Sequence, residues 1–224
     1  MWDALSELKK NIYLSVTIFL LILIFSFWSN PSLTPNISPD SYGYIRLAKD
    51  FTSDISEIRP FFFPLFIRIC IELSETNWQK LFSIIQIVFH SSISTYLFLF
   101  FQKFQLRKEI SFILTLLIGF NPSLIYYSTY ILSDSLFAIL TTLSWIFTIK
   151  FIMDKKNNDF YNLVLIGIFS GLALVTKPIA LLGIIPIIIS IILTSKISVG
   201  MVKSILLILL INYSINGLWE NYKY

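Results

Sequence analysis

Seven stretches of this chain run for about 17 to 22 residues with few charges, at about 11–28, 80–101, 110–130, 132–153, 161–177, 178–195 and 201–218. An apolar run of that length crosses a ~30 Å hydrocarbon core as one α-helix. The expected fold class is therefore all-α, a polytopic membrane protein with about seven transmembrane helices. Composition agrees: 56% hydrophobic residues, 17% aromatic residues, 13% charged residues and a mean hydropathy of +0.77 exclude a water-soluble surface. Residues 161–195 must hold two helices, because one helix of that length would measure about 52 Å at 1.5 Å per residue. Lys177-Pro178 marks the division, since mid-membrane charge is costly and Pro removes a helix hydrogen bond. The boundary near residue 131 has two solutions, a turn there or one at Asn121-Pro122, with Asp134 then slightly inside the next helix.

The first run follows Lys9 and Lys10 as a signal peptide would. Its roughly 18 residues end in Phe25-Ser26-Phe27-Trp28, without a small-residue cleavage pattern, and so predict a retained anchor. Under this span count Lys9, Lys10, Lys103, Arg107, Lys108, Lys150, Lys155, Lys156, Lys196 and Lys203 fall on one side, which the positive-inside rule makes cytoplasmic, with the N-terminus. The opposite, extracytoplasmic side receives a long loop at about 29–79, the Asn121 to Asp134 turn, Lys177 and Glu220. The net charge of +4 is thus a matter of topology. No basic face interleaved with aromatics is present, which sets nucleic acid aside as a partner. Cys70 is the one cysteine; it has no internal disulfide partner and no Cys or His at metal-ligand spacing, so neither a metal nor a redox role is indicated.

Within the long loop, residues 42–51 space apolar side chains three and four apart and predict a short interfacial helix. Residues 61–71 predict a second, too short to span. No internal repeat or linker interrupts the chain, which is expected to form one domain over 1–224. Ser38-Pro39-Asp40-Ser41-Tyr42 stands at the entry to the first loop helix. Ser38 or Asp40 is suited to capping it, and a carboxylate near a hydroxyl is equally suited to act as a general base; both roles can hold at once. Arg59-Pro60 places a guanidinium at the bilayer surface, either clamping a phosphate or carboxylate or snorkelling beside Phe61 to Phe63. Lys177 is the one cation in an apolar stretch of about 35 residues, hence either a functional group or a turn residue reaching water. Asp134 falls at a helix start, where a carboxylate favours the positive end of the dipole. His90, near Gln86, Ser91, Ser92, Ser94 and Thr95, predicts a hydrogen bond between helices in preference to a metal ligand. Walker, dinucleotide-binding and Ser/His/Asp patterns are absent from the sequence.

In their order these pieces resemble the GT-C superfamily of membrane glycosyltransferases, including protein O-mannosyltransferases and lipid A aminoarabinose transferases. The resemblance spans roughly residues 10–200, the N-terminal half of such an enzyme. It rests on the first span, Pro39-Asp40-Ser41-x-x-Tyr44-x-x-x-Ala48, Arg59-Pro60-x-x-x-Pro64, Asn121-Pro122 through Ser128, Leu132-Ser133-Asp134, and Gly171-Leu172-Ala173-Leu174-Val175-Thr176-Lys177-Pro178. It implies inverting transfer of a hexosyl or pentosyl group from a polyprenyl-phosphate sugar to a glycan, lipid or protein acceptor at the extracytoplasmic face of the plasma (inner) membrane. By the same resemblance Asp40 is the base, Lys177 and Arg59 bind the donor phosphate, and Asp134 and Tyr44 shape the substrate pocket. No cofactor is implied. Many relatives carry a second acidic residue after the first, where Ser41 stands here. Relatives are also about twice this length, so the chain is expected to be truncated relative to the family. That leaves open an inactive half-length fragment or a partner subunit that needs a complementing membrane protein. A small transporter, suggested by Lys177, Gln86 and His90, is the remaining alternative.

Overall fold

The structure, a computed structural model, describes residues 2–51, 59–153, 160–194 and 199–222. Among them the chain forms ten α-helices and no β-strand: α1 (Trp2–Ser29), α2 (Pro39–Lys49), α3 (Phe62–Leu73), α4 (Trp78–Lys103), α5 (Lys108–Gly119), α6 (Pro122–Ser128), α7 (Ser133–Met153), α8 (Phe160–Leu174), α9 (Ala180–Thr194) and α10 (Val199–Tyr222). The all-α expectation holds. Both short loop helices form, as α2 and α3, with 11 and 12 residues that are too few to cross a bilayer. Cys70 on α3 is a buried apolar contact whose thiol is pushed up to about 11 by desolvation.

Four helices are long and apolar enough to cross a membrane, over Asn11–Ser29, Trp78–Lys103, Ser133–Met153 and Gly200–Leu218. The pair α5 and α6, bent by 48°, makes a fifth if taken as one broken span. The expected seven is not reached among the described residues, because α8 and α9 have 15 residues each. At 1.5 Å per residue each measures about 22 Å, short of a ~30 Å core. Both helices are apolar; residues 154–159 and 195–198 beside them, with Lys155, Lys156 and Lys196, lie outside the described residues.

The helix breaks follow from local chemistry. Lys177-Pro178 divides α8 from α9 as the length argument required; the turn closes with Lys177 N donating to Ala173 O at 2.8 Å and Ala180 N to Lys177 O at 2.9 Å. The two solutions near residue 131 are both realised. α5 ends at Gly119, and Asn121 Oδ1 accepts from Ser123 N at 3.0 Å and Leu124 N at 3.3 Å, with Pro122 in the first turn where its missing N–H costs nothing. A second break separates α6 from α7.

By its internal packing the chain divides into two compact units, Met1–Ser41 with Ile69–Ser135 and Tyr42–Arg68 with Leu136–Tyr224. In the first, Ile18, Ile22 and Phe98 form a fully buried core flanked by Leu14, Phe112 and Phe120. Gly119 lets α5 approach α1 so closely that a Cβ there would collide with Ile22. His90 Nε2 meets Gly119 O at 2.9 Å, and because a carbonyl only accepts, the ring donates from Nε2. This is the helix-to-helix bond that its neighbours on α4 predicted. The hydroxyls of Ser91, Ser94 and Thr95 turn back to carbonyls one turn earlier, at 2.8 to 2.9 Å, and so enter the apolar span satisfied.

In the second unit α8, α9 and α10 enclose Leu163, Ile166, Ile187, Ile191 and Ile208. Gly167 and Gly171 receive Ile211 and Ile215 of α10, and Asn212 Nδ2 donates to Ser170 Oγ across the same contact at 2.9 Å. A Cβ on Gly167 would stand 2.9 Å from Ile211 Cβ, whereas Gly183 on α9 has nothing within 4 Å. Gly167→Leu is therefore expected to force α8 from α10 and lower stability by about 1–3 kcal/mol, while Gly183→Ala leaves it unchanged or raised. Denaturant titration in detergent measures both; equal effects would contradict this packing.

Candidate functional site

The loop between α1 and α2 is fastened to the segment between α6 and α7. Asn36 N donates to Thr129 O at 2.8 Å and Ile131 N donates to Asn36 O at 3.2 Å, an isolated parallel bridge centred on Asn36 and Tyr130. Five residues on, the buried Ser41 Oγ donates to Ile131 O at 2.9 Å and accepts from Ser38 N at 2.9 Å. Ser38 Oγ lies 3.1 Å from it. A hydroxyl has one proton, so with that of Ser41 committed to Ile131, Ser38 is the donor between the two side chains. This strap ties the first turn of α2 to the segment just before α7 within the first unit. Asp40, in the first turn of α2, is exposed; Asp134, in the first turn of α7, is half-buried. Each carboxylate stands where the unpaired N–H groups of a helix end give positive potential. Helix entry at Ser38 is closed by Ser41 returning to the Ser38 N–H, with Pro39 at the first helical position.

The cations belong to the second unit. Arg59 Cζ lies 4.4 Å above the centroid of Tyr44, and Tyr44 in turn meets Phe63 edge-on at 4.9 Å and 80°. The guanidinium crosses α2 over Gly43, where a Cβ would stand 2.7 Å from Arg59 Nε. Stacking on a ring uses the guanidinium's face, whereas anions are bound along its edge. Phe62 N donates to Val175 O at 3.2 Å, which joins the segment that begins at Arg59 to the end of α8, two residues before the half-buried Lys177.

Of the residues singled out from sequence, Asp40 lies next to Ser41 and Asp134 three residues after Ile131, the two residues that the Ser41 hydroxyl bond joins. Tyr44 and Arg59 touch, and Arg59 lies on the segment bonded to the turn of Lys177. Sequence reasoning did not find Ser41 as the fastening, Asn36 as its other anchor or Gly43 as the seat of Arg59. One signal was available: Ser38-x-x-Ser41 has the spacing of a reciprocal helix cap with Ser in place of the usual acidic or amide residue. The partners of Asn36 and Gly43 are distant in sequence and no spacing reveals them. Among the described residues no three of His, Cys, Asp and Glu gather as metal ligands would. Ser41→Ala leaves a buried carbonyl and a buried N–H without this partner, and is expected to cost about 1–3 kcal/mol. Thermal unfolding in detergent reads this loss beside the exposed Ser92→Ala, for which no change is expected.

A family model described as Dolichyl-phosphate-mannose-protein mannosyltransferase matches residues 74–215, from the turn before α4 into α10. The matched segment contains Asp134 and Lys177 and begins after Asp40, Tyr44 and Arg59. No curated protein and no solved structure matches the chain. With several spans of membrane-crossing length and a match over more than half of its residues, the chain is a multi-pass membrane protein and belongs to the dolichyl-phosphate-mannose-protein mannosyltransferase family, membrane glycosyltransferases of the GT-C type.

Proposed function

We propose that this chain transfers a hexosyl or pentosyl group from a polyprenyl-phosphate donor to an acceptor hydroxyl at the extracytoplasmic face of the plasma membrane, with its N-terminus in the cytoplasm. The reading is supported by family membership together with one observation: Ser41, beside Asp40, is bonded to Ile131 three residues before Asp134, and Phe62, on the segment of Arg59, is bonded to Val175 two residues before Lys177. Asp40 takes the acceptor's hydroxyl proton as the oxygen attacks the anomeric carbon. The bond from that carbon to the phosphate oxygen breaks, and the polyprenyl phosphate leaves with the electron pair. Attack opposite the leaving group inverts the anomeric centre. Lys177 and Arg59 neutralise the charge that grows on the phosphate, an effect that is large in a water-poor site. Asp134 and Tyr44 line the pocket, Tyr44 by holding Arg59. The whole chain serves as one module, with its first outer loop at about 29–79.

Membranes containing the chain, supplied with labelled polyprenyl-phosphate sugars, test this directly. Asp40→Asn is expected to lower transfer by at least about 100-fold, and Lys177→Ala by a similar factor, both at unchanged protein level. Activity retained in Asp40→Asn would remove the assigned base. No transfer from any donor by the unaltered chain would favour a subunit that works only with a complementing membrane protein. Gly43→Val separates position from presence, since it displaces Arg59 without removing it. The donor KM is expected to rise about tenfold, the worth of one charged hydrogen bond, and kcat to fall with it, because the guanidinium also meets charge that grows as the phosphate leaves. A wild-type KM would detach Arg59 from donor binding.

A further inference from the structure

Beside the strap in the first unit lies a cleft of about 330 Å³ that the roles above leave unused. This volume is at the small end of ligand sites, which run from about 300 to 1,000 Å³. Its wall combines three aromatic residues and three polar ones with Pro122 and Ile125. Phe25 and Phe120 pack edge to face, centroids 5.0 Å apart, and Tyr126 adds a third ring, 53% exposed and tilted against Tyr130 at 4.5 Å. Ser29, Asn36 and Thr129 supply hydroxyl and amide groups. The Thr129 hydroxyl donates to Tyr126 O at 2.8 Å, which leaves its oxygen as an acceptor, and the exposed Asn36 amide reaches that oxygen at 3.4 Å through Nδ2.

The Ser29 and Thr129 hydroxyls already donate to Phe25 O and Tyr126 O, so what a hydrocarbon chain would cover without a partner is their remaining acceptor capacity and that of Asn36 Oδ1. A pyranose fits such a wall because it is amphipathic in the same way. Its C–H face stacks on aromatic rings, and its hydroxyls both donate to and accept from amides and hydroxyls. The cleft's place on the chain adds a direction. Asn36 is both a wall residue and the centre of the bridge that fastens the loop, and Asp40 follows four residues later on that loop.

We infer that this cleft binds a pyranose ring of the acceptor, so that the acceptor is a carbohydrate-bearing molecule. The acceptor role rests on the function proposed above; sugar binding by the cleft does not, and it is measurable without catalysis.

The test is saturation-transfer NMR on the purified chain in micelles, titrated with methyl α-D-glucopyranoside and methyl α-D-mannopyranoside. Irradiation of aromatic protons is expected to reach the pyranose ring protons. Asn36→Ala and Tyr126→Ala are expected to weaken binding at least about fivefold, and the exposed Ser92→Ala to leave it unchanged. Asn36→Ala keeps the fold readable, because both strap bonds at Asn36 use its backbone. Absence of transfer with either glycoside, or equal affinity in the two cleft variants, overturns the inference. Displacement of the sugar by farnesyl phosphate also overturns it and assigns the cleft to a lipid chain. Sugar binding without polyprenyl-phosphate-dependent transfer would keep the cleft and remove the proposed reaction; transfer without sugar binding would do the reverse.

Discussion

Inside a bilayer no water is present to satisfy an open backbone N–H or carbonyl, so a chain this apolar must carry its backbone hydrogen bonds within helices and repair every place where a helix stops. The repairs organise this molecule. At Asn121-Pro122 one amide oxygen serves two N–H groups; at Lys177-Pro178 the turn bonds to itself through Ala173 and Ala180; between α6 and α7 the carbonyls of Thr129 and Ile131 are taken up by Asn36 and Ser41. Polar side chains are tolerated at these interruptions at least cost. That is why Asp40, Asp134 and Lys177 all stand at helix ends, while His90, Ser91, Ser94 and Thr95 within α4 are bonded to carbonyls.

The same economy bears on chemistry. A positioned cation does most for a leaving phosphate where water is scarce, because the interaction is then little screened. Such a cation must be held, since a flexible one would pay entropy on every turnover. Arg59 is held by Tyr44 beneath it and by the absence of a side chain at Gly43. On the acidic side the hydroxyl of Ser41 does the holding: it donates to a carbonyl, which a carboxylate cannot do.

Much of the fold was legible in the sequence because it depends on local pattern. The apolar runs gave α1, α4, α7 and α10; the period of residues 42–51 gave α2; the length limit on residues 161–195 gave the Lys177-Pro178 break. The span count is not reached among the described residues, where α8 and α9 are apolar but run for 15 residues each. The third apolar run was expected to hold one turn, at residue 131 or at Asn121-Pro122, and it holds both: Asn121 and Pro122 announce the first, and nothing local says that the two occur together. In the candidate site, residue types were legible and partners were not. Asn36 with Thr129, Ser41 with Ile131 and Phe62 with Val175 are each separated by 90 residues or more, and nothing local encodes which carbonyl a hydroxyl or an N–H will reach.

The proposed reaction divides the labour: cations bind the donor phosphate and Asp40 performs the proton transfer. Equilibrium binding of a non-transferable polyprenyl-phosphonate sugar to the purified chain measures that division most directly. The account predicts that Lys177→Ala weakens binding by about 10- to 100-fold, in proportion to a lost charged contact, whereas Asp40→Asn binds as the unaltered chain does. Equal binding by all three proteins, or loss of binding in Asp40→Asn alone, would contradict it.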